Sequence, residues 1–256
     1  MLLAIDSGNT NIVFAVFDDE DRLRGEWRSS SGTDRTADEF GVWLSQLMAA
    51  AKLTPEDISA AIIATVVPAA LFSLKSLCRD YFGCDPLIIG EDGVDLGLKV
   101  LIDRPDDVGA DRLVNAVAAH ERYAGPLIII DFGTATTFDI INADGDYIGG
   151  VIAPGINLSL EALHMAAAQL PRVAVQRTEK VTGQNTVEAM QSGIYWGYLS
   201  LIEGLVGRLR IEHGTDMDVI ATGGLAPLFA EAAECIKQSD PDLTLRGLLA
   251  IHRRNS

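Results

Sequence analysis

Cationic side chains are in short supply: 20 Lys and Arg stand against 36 Asp and Glu, for a formal net charge of −16. That balance excludes nucleic acid and anionic membrane as principal partners, because both demand clustered positive charge. Cysteine is rarer still. Cys78, Cys84 and Cys235 show no metal-type pairing and leave one thiol over, which fits reduced, buried side chains and not a disulfide framework. The histidines, His120, His164, His213 and His252, have no spacing suited to a metal. No apolar run is long enough to span a bilayer, and no basic segment with a following apolar stretch precedes the first strand pattern, so a soluble cytoplasmic protein is expected. Also missing are a Gly-x-x-x-x-Gly-Lys-Ser/Thr loop, a Gly-x-Gly-x-x-Gly turn and a Gly-x-Ser-x-Gly elbow. The usual single-loop nucleotide fingerprints and acyl-enzyme chemistry therefore have no support.

What is present is a repeated pattern. Leu127-Ile-Ile-Ile-Asp131-Phe-Gly133-Thr134-Ala-Thr136-Thr137-Phe-Asp-Ile-Ile141 reads as strand, tight turn, strand. An earlier copy runs Leu2-Leu-Ala-Ile-Asp6-Ser-Gly8-Asn9-Thr10-Asn11-Ile-Val-Phe-Ala-Val-Phe17. A turn rich in glycine and hydroxyls brings backbone N–H groups against a phosphate, since glycine has no Cβ to hold the ligand away. Two copies suggest a duplicated α/β protein with two phosphate-facing hairpins across a cleft. At 256 residues the chain has room for two halves, and Ala124-Gly-Pro126 places the boundary near residue 125, giving 1–125 and 126–256.

Along the first half, strands are expected at 2–6, 12–17 and 22–29. A helix follows over 36–48, with Thr36 and Glu39 spaced as a capping box and Trp43 turned to the core. Ala60–Val67 reads as a buried strand, then come a helix to about Tyr81, a short strand 86–90 and a further one around Leu98–Ile102. Val108-Gly109-Ala110-Asp111-Arg112 opens an Ala-rich helix, where Asp111 serves either the helix dipole or chemistry. In the second half, Tyr147–Ile156 is a strand run interrupted by Gly149-Gly150 and Pro154-Gly155, as when a backbone or a ligand approaches closely. Helices are expected over 159–170, 187–213 and 227–237. Tyr195, Trp196 and Tyr198 make the long one a candidate for subunit packing, although burial within the chain is the default. Thr222-Gly223-Gly224 closes a strand where an adenine or ribose could rest, or forms a simple turn.

Three acids in glycine contexts remain, Asp6, Asp111 and Asp131. Carboxylates at loop tips serve cations or protons, and phosphoryl transfer asks the protein mainly for positioning and charge neutralisation. The residues themselves thus point to a phosphotransferase or a nucleotide-binding protein.

Asp6-Ser-Gly-Asn-Thr10, Gly109-Ala-Asp-Arg112, Asp131-Phe-Gly-Thr-Ala-Thr-Thr137, Gly149-Gly-Val-Ile-Ala-Pro-Gly155, Thr182-Gly-Gln-Asn-Thr186, Thr222-Gly-Gly224 and the ending Asp242–Ile251 occur in the order seen in type III pantothenate kinases, which the whole chain resembles. The resemblance implies an actin-like fold, shared with acetate and sugar kinases and heat-shock chaperone ATPases. It also implies transfer of the γ-phosphoryl of ATP to pantothenate, the first step of coenzyme A synthesis, by a homodimer. Carried over by motif, Asp6, Ser7, Gly8, Asn9, Thr10, Asn11, Ile12 and Val13 form the first phosphate loop, with Asp6 on or near Mg²⁺. Thr134 meets the phosphates from the second loop, and Asp131 holds a monovalent cation, K⁺ or NH₄⁺. Asp111 is the base, with Gly109, Ala110, Arg112 and Thr186 on pantothenate. Where many members carry a Tyr ahead of the Pro preceding Gly-Ala-Asp-Arg, this chain has Lys99-Val-Leu-Ile102-Asp-Arg104-Pro105. The competing expectations are a non-catalytic accessory or regulatory protein on the same fold, and a kinase for another small alcohol.

Overall fold

The computed structural model describes residues 1–32, 35–167 and 170–256. They form two compact units, Met1–Glu121 with Asp242–Ser256, and Arg122–Pro241.

The first unit is built on β1 (Leu2–Ser7), β2 (Asn11–Phe17), β3 (Leu23–Ser30), β4 (Ala60–Thr65) and β5 (Pro86–Ile88), in the order β3-β2-β1-β4-β5. β1 runs antiparallel to β2 and parallel to β4. Because β1 is central, both of its faces are apolar. Leu3 and Ile5 meet Phe40, Leu44 and Met48 of α1 (Ala37–Ala50) and Leu74 and Leu77 of α2 (Pro68–Phe82). Leu2 and Ala4 meet Val114 and Val117 of α3 (Ala110–Arg122) and Leu248 and Ile251 of α7 (Leu243–Arg254). The expected capping box is present. The Glu39 amide donates to Thr36 Oγ1 at 3.3 Å and the Thr36 amide to Glu39 Oε2 at 2.8 Å, an arrangement worth about 1 kcal/mol. Trp43 packs edge-on against Phe14, their ring centroids 5.6 Å apart.

The second unit repeats the plan with β6 (Leu127–Phe132), β7 (Ala135–Ile141), β8 (Tyr147–Pro154), β9 (Asp218–Gly223) and β10 (Gln238–Ser239), in the order β10-β9-β6-β7-β8. β6 runs antiparallel to β7 and parallel to β9. Its core is lined by α5 (Thr186–His213) and α6 (Ala226–Ala230), with Phe229 stacked on Phe132 and on Tyr195. α4 (Ile156–Ala166) completes the unit.

Several expectations shift. α7 belongs to the first unit, where the sequence division had put it in the second. A methyl group on Gly247 would stand 2.2 Å from the Val114 carbonyl, so this glycine lets α7 press against α3, and Thr244 Oγ1 donates to Asn115 Oδ1 at 2.8 Å. No strand forms over 98–102. Only Val100 makes an isolated bridge, in a segment where Gly93 and Gly97 take positive φ (91° and 73°) and break extended pairing. α6 stops at Ala230, short of the expected Lys237, and gives way to turns. α4 begins and ends earlier than the expected 159–170, of which positions 168 and 169 lie outside the described residues. Tyr195 and Tyr198 are buried in their own unit, so packing within the chain accounts for them. The three cysteines are free thiols, with Cys78 fully buried.

Candidate active site

β1 ends in Asp6 and Ser7, and the chain turns through Gly8, whose amide donates to the Asn11 carbonyl at 3.0 Å. Asn9, Thr10 and Asn11 are exposed at the tip, while Ile12 is buried in the core and offers the loop only its backbone. Ser31, just past β3, ties the loop down. Its amide donates to the Thr10 carbonyl at 3.0 Å and its hydroxyl to the Gly8 carbonyl at 2.6 Å. Ser7 Oγ is buried with no hydrogen-bond partner. The strand period places Asp6 on the face of Leu2 and Ala4, the side covered by α3.

α3 carries Asp111 in its first turn. The Asp111 carboxylate accepts the Arg112 amide at 2.8 Å. Burial pushes its carboxyl above the usual range, outweighing the pull of the Arg112 amide and guanidinium. Gly109 makes this placement possible, since a methyl group there would stand 2.8 Å from Asp111 Oδ1 and 3.3 Å from Val66 Cγ1. Val66 in turn donates its amide to the Ser7 carbonyl at 3.1 Å. Asp6, Ser7, Gly109 and Asp111 therefore meet at one end of the first sheet. A carboxylate poised to gain a proton sits beside an exposed, amide-rich loop.

In the second unit Asp131 is the penultimate residue of β6 and pairs in register with Thr137 and Thr222. Gly133 donates its amide to the Ala135 carbonyl at 3.0 Å, and Thr134 is exposed at the turn. Gly155 lies directly on this turn. Its amide donates to the Thr134 carbonyl at 3.1 Å, and a methyl group on it would stand 2.1 Å from that oxygen. Gly223, at φ +89°, faces Asp131, and a methyl group there would stand 2.5 Å from Asp131 Oδ1. Gly155, in the run that the sequence marks for close approach, and Gly223, which the sequence reads only as a ligand rest or a simple turn, are thus where the second loop and its acid are shaped.

Thr186 is exposed as the first residue of α5. Asn185 caps this helix by accepting the Glu188 amide at 3.0 Å, and Glu188 accepts the Gln184 amide at 2.8 Å. Gly183 is fixed by space, since a methyl group there would stand 2.3 Å from the Ala189 nitrogen. Beside Thr186 an open groove of about 700 Å³ is lined by Leu163, Leu170, Asn185, Met190 and Ile194. Ser31 on the first loop, and the hydroxyl bonds of Tyr198 to the strands flanking the second, escaped sequence reasoning, which reads Tyr198 only as a packing residue. Their partners lie 23 and 62 positions away, and no local pattern connects them.

The sequence profile of the type III pantothenate kinase family matches residues 2–208. The chain is 70% identical over 256 residues to a type III pantothenate kinase of Paramagnetospirillum magneticum, covering 100% of this chain and 98% of the relative. It is 66% identical over 255 residues to one of Rhodospirillum rubrum, covering 100% and 99%. Among solved structures it is similar to component A of the (R)-2-hydroxyglutaryl-CoA dehydratase of Acidaminococcus fermentans, with a TM-score of 0.54 at 14% identity over 99% of this chain and 98% of that one. The fold is that of the actin-like ATPases and sugar kinases, with a mixed sheet in each unit.

Proposed function

The chain belongs to the type III pantothenate kinases, and from that premise we propose how its residues divide the phosphorylation of pantothenate by ATP. The reaction opens coenzyme A biosynthesis, and the accessory-protein reading is not favoured. In the first unit, the amides and hydroxyls of Asp6–Val13 receive phosphate oxygens. Asp111 accepts the proton of the pantothenate primary hydroxyl as the new P–O bond forms, with Gly109, Ala110 and Arg112 against the same substrate. In the second unit Thr134 meets the nucleotide phosphates and Thr186 reaches pantothenate. The observation that carries this reading is the meeting of Asp111 with the Asp6 loop at one end of β1 and β4. A carboxylate whose affinity for protons is raised by burial is a better acceptor for an alcohol proton than an ordinary surface Asp.

The family implies ATP with a divalent metal. We take the ion to be Mg²⁺, and the half-buried Asp6, at the end of β1 that opens into the exposed loop of Asn9–Asn11, fits a position on or near it. Among the described residues no group of three acid, His or Cys side chains converges, so such an ion would take most of its ligands from phosphate and water, as Mg²⁺ commonly does. Bound there, it would spread the charge of the β- and γ-phosphates. Asp131, against whose carboxylate Gly223 lets the neighbouring strand end pack closely, is the group we assign to a monovalent cation, K⁺ or NH₄⁺. A homodimer is supported by exposed Leu158, Leu163 and Met165 on α4 and by Val187 on α5. No helix among the described residues is long and apolar enough to cross a membrane, and we place the enzyme in the cytoplasm.

The test is a coupled ADP assay with ATP, Mg²⁺, pantothenate and K⁺. ADP that forms only with pantothenate supports the assignment, while nucleotide binding without turnover would overturn it. Replacing K⁺ by Na⁺ should lower the rate strongly, and equal rates would remove the cation from the proposal. A monomer by light scattering at assay concentration would remove the dimer.

A further inference from the structure

We propose that Tyr198 is a positioning residue for the second phosphate loop, holding the turn Gly133-Thr134 in its nucleotide-ready shape through a two-step hydroxyl relay. The Tyr198 hydroxyl donates to the Pro154 carbonyl, and it lies 2.8 Å from Thr136 Oγ1. A phenol has one proton, so with that proton on Pro154 the Thr136 hydroxyl is the donor in the second bond. The relay therefore joins the first residues of β7 to the last of β8, where Ala135 pairs with Pro154 and Thr136 with Ala153. The next residue, Gly155, is the one lying on the Thr134 carbonyl. Strand pairing alone leaves the end of β8 free to fray, and a displaced Gly155 would release the turn it presses on.

The anchor itself is rigid. The Tyr198 ring packs at 5.8 Å on Phe229, which is stacked with Phe132 next to the turn. Burial pushes the phenol above its ordinary range, so it stays protonated and able to donate at neutral pH. Tyr195, one turn earlier on α5, stacks on the same Phe229 and is equally buried, which makes it a control for packing.

This inference rests on the assignment of residues 133–134 to the nucleotide phosphates. Tyr198→Phe keeps the ring and removes the relay. It should raise KM for ATP and Kd for ADP about 5- to 10-fold, the loss expected for one buried hydrogen bond, with KM for pantothenate unchanged and kcat within about threefold. Thr136→Val should do the same, Thr136→Ser should restore the wild-type values, and the double variant should be no worse than either single one. Tyr195→Phe should leave both KM values unchanged. Equal rises in both KM values, or a lower melting temperature with no change in ADP affinity, would overturn the proposal. Calorimetric titration with ADP needs no turnover. A wild type that binds ADP without phosphorylating pantothenate would count against the kinase reading while leaving the role of Tyr198 open to measurement in the same titration.

Discussion

The two units share one strand order and, at their centres, one burial pattern, yet they equip the equivalent acid differently. Asp6 and Asp131 each sit fifth on a central strand whose first four residues are buried. The first loop is one residue longer, since Asp6 pairs with Val13 whereas Asp131 pairs with Thr137. The first is tied from β3 by Ser31, the second from β8 by Gly155 and the Tyr198 relay. The neighbouring parallel strand differs most. Ser7 stands in register with Thr65, whose hydroxyl turns back to accept the Val67 amide at 3.0 Å, while Phe132 stands in register with Gly223, whose missing Cβ lets it pack directly against the Asp131 carboxylate. Topology sets where each acid lies, and a single residue across the ladder sets what can approach it.

The sharpest break is at the residue with no counterpart in the other loop. Asp111→Ala should lower kcat about 10²- to 10⁴-fold, with melting temperature and KM for ATP little changed, as expected for loss of a general base. Steady-state kinetics beside a thermal melt would decide it, and full turnover would move the base elsewhere. Next comes the cradle. Gly223→Ala places a methyl group 2.5 Å from Asp131 Oδ1 at φ +89°. Strain of roughly 1–3 kcal/mol corresponds to about a 5- to 150-fold loss, and the response to K⁺ should go with it. Thr65→Gly, the reciprocal change in the first unit, should leave the K⁺ response as it was. If both variants behave alike, the contrast between the acids has no chemical meaning.

Much of this comparison was legible in the sequence, because strand alternation and Asp-x-Gly turns are local. Leu2–Phe17 and Leu127–Ile141 announce two hairpins, and Pro154-Gly155 announces close approach. The return of α7 to the first unit was not legible. Its stripe of Leu245, Leu248 and Ile251 fits any apolar face, and only the gap that Gly247 makes against Val114 selects this one. The aromatic run of α5 was legible only as far as its default, burial within the chain, since an aromatic stripe reads alike whether its partner is Phe229 of the same chain or a second subunit. Ser31 was invisible, and Tyr198 was legible as a packing residue but not as a hydrogen-bonding one, because a hydroxyl carries no period.

A smaller effect follows from the state of Asp111. Its native pKa is raised by burial, so between the unfolded value and the native one the folded chain binds more protons than the unfolded chain. The contribution of this group to stability therefore falls as pH rises through that window and stays unfavourable above it. Asp111→Asn should melt higher than wild type at pH 7, by roughly a few degrees, and lose that advantage near pH 4. Wild-type kcat/KM should fall as pH drops through the raised pKa, where the base becomes protonated. Melting curves that never separate would mean that the carboxylate is no costlier to ionise in the fold than in the open chain.

The gentlest test bears on the first loop. Ser31→Ala removes the hydroxyl that reaches the Gly8 carbonyl but keeps the amide bond to Thr10, and the side chain is not fully buried, so the freed carbonyl has access to water. One partly exposed hydrogen bond is worth about 1 kcal/mol, or about a fivefold rise in KM for ATP, with kcat and KM for pantothenate unchanged. That is at or below the loss expected for Tyr198→Phe, because each loop keeps a backbone tie but the bonds lost at Tyr198 are the more buried. A rise larger than that of Tyr198→Phe would reverse the ranking and make the first loop the one that depends on side-chain support.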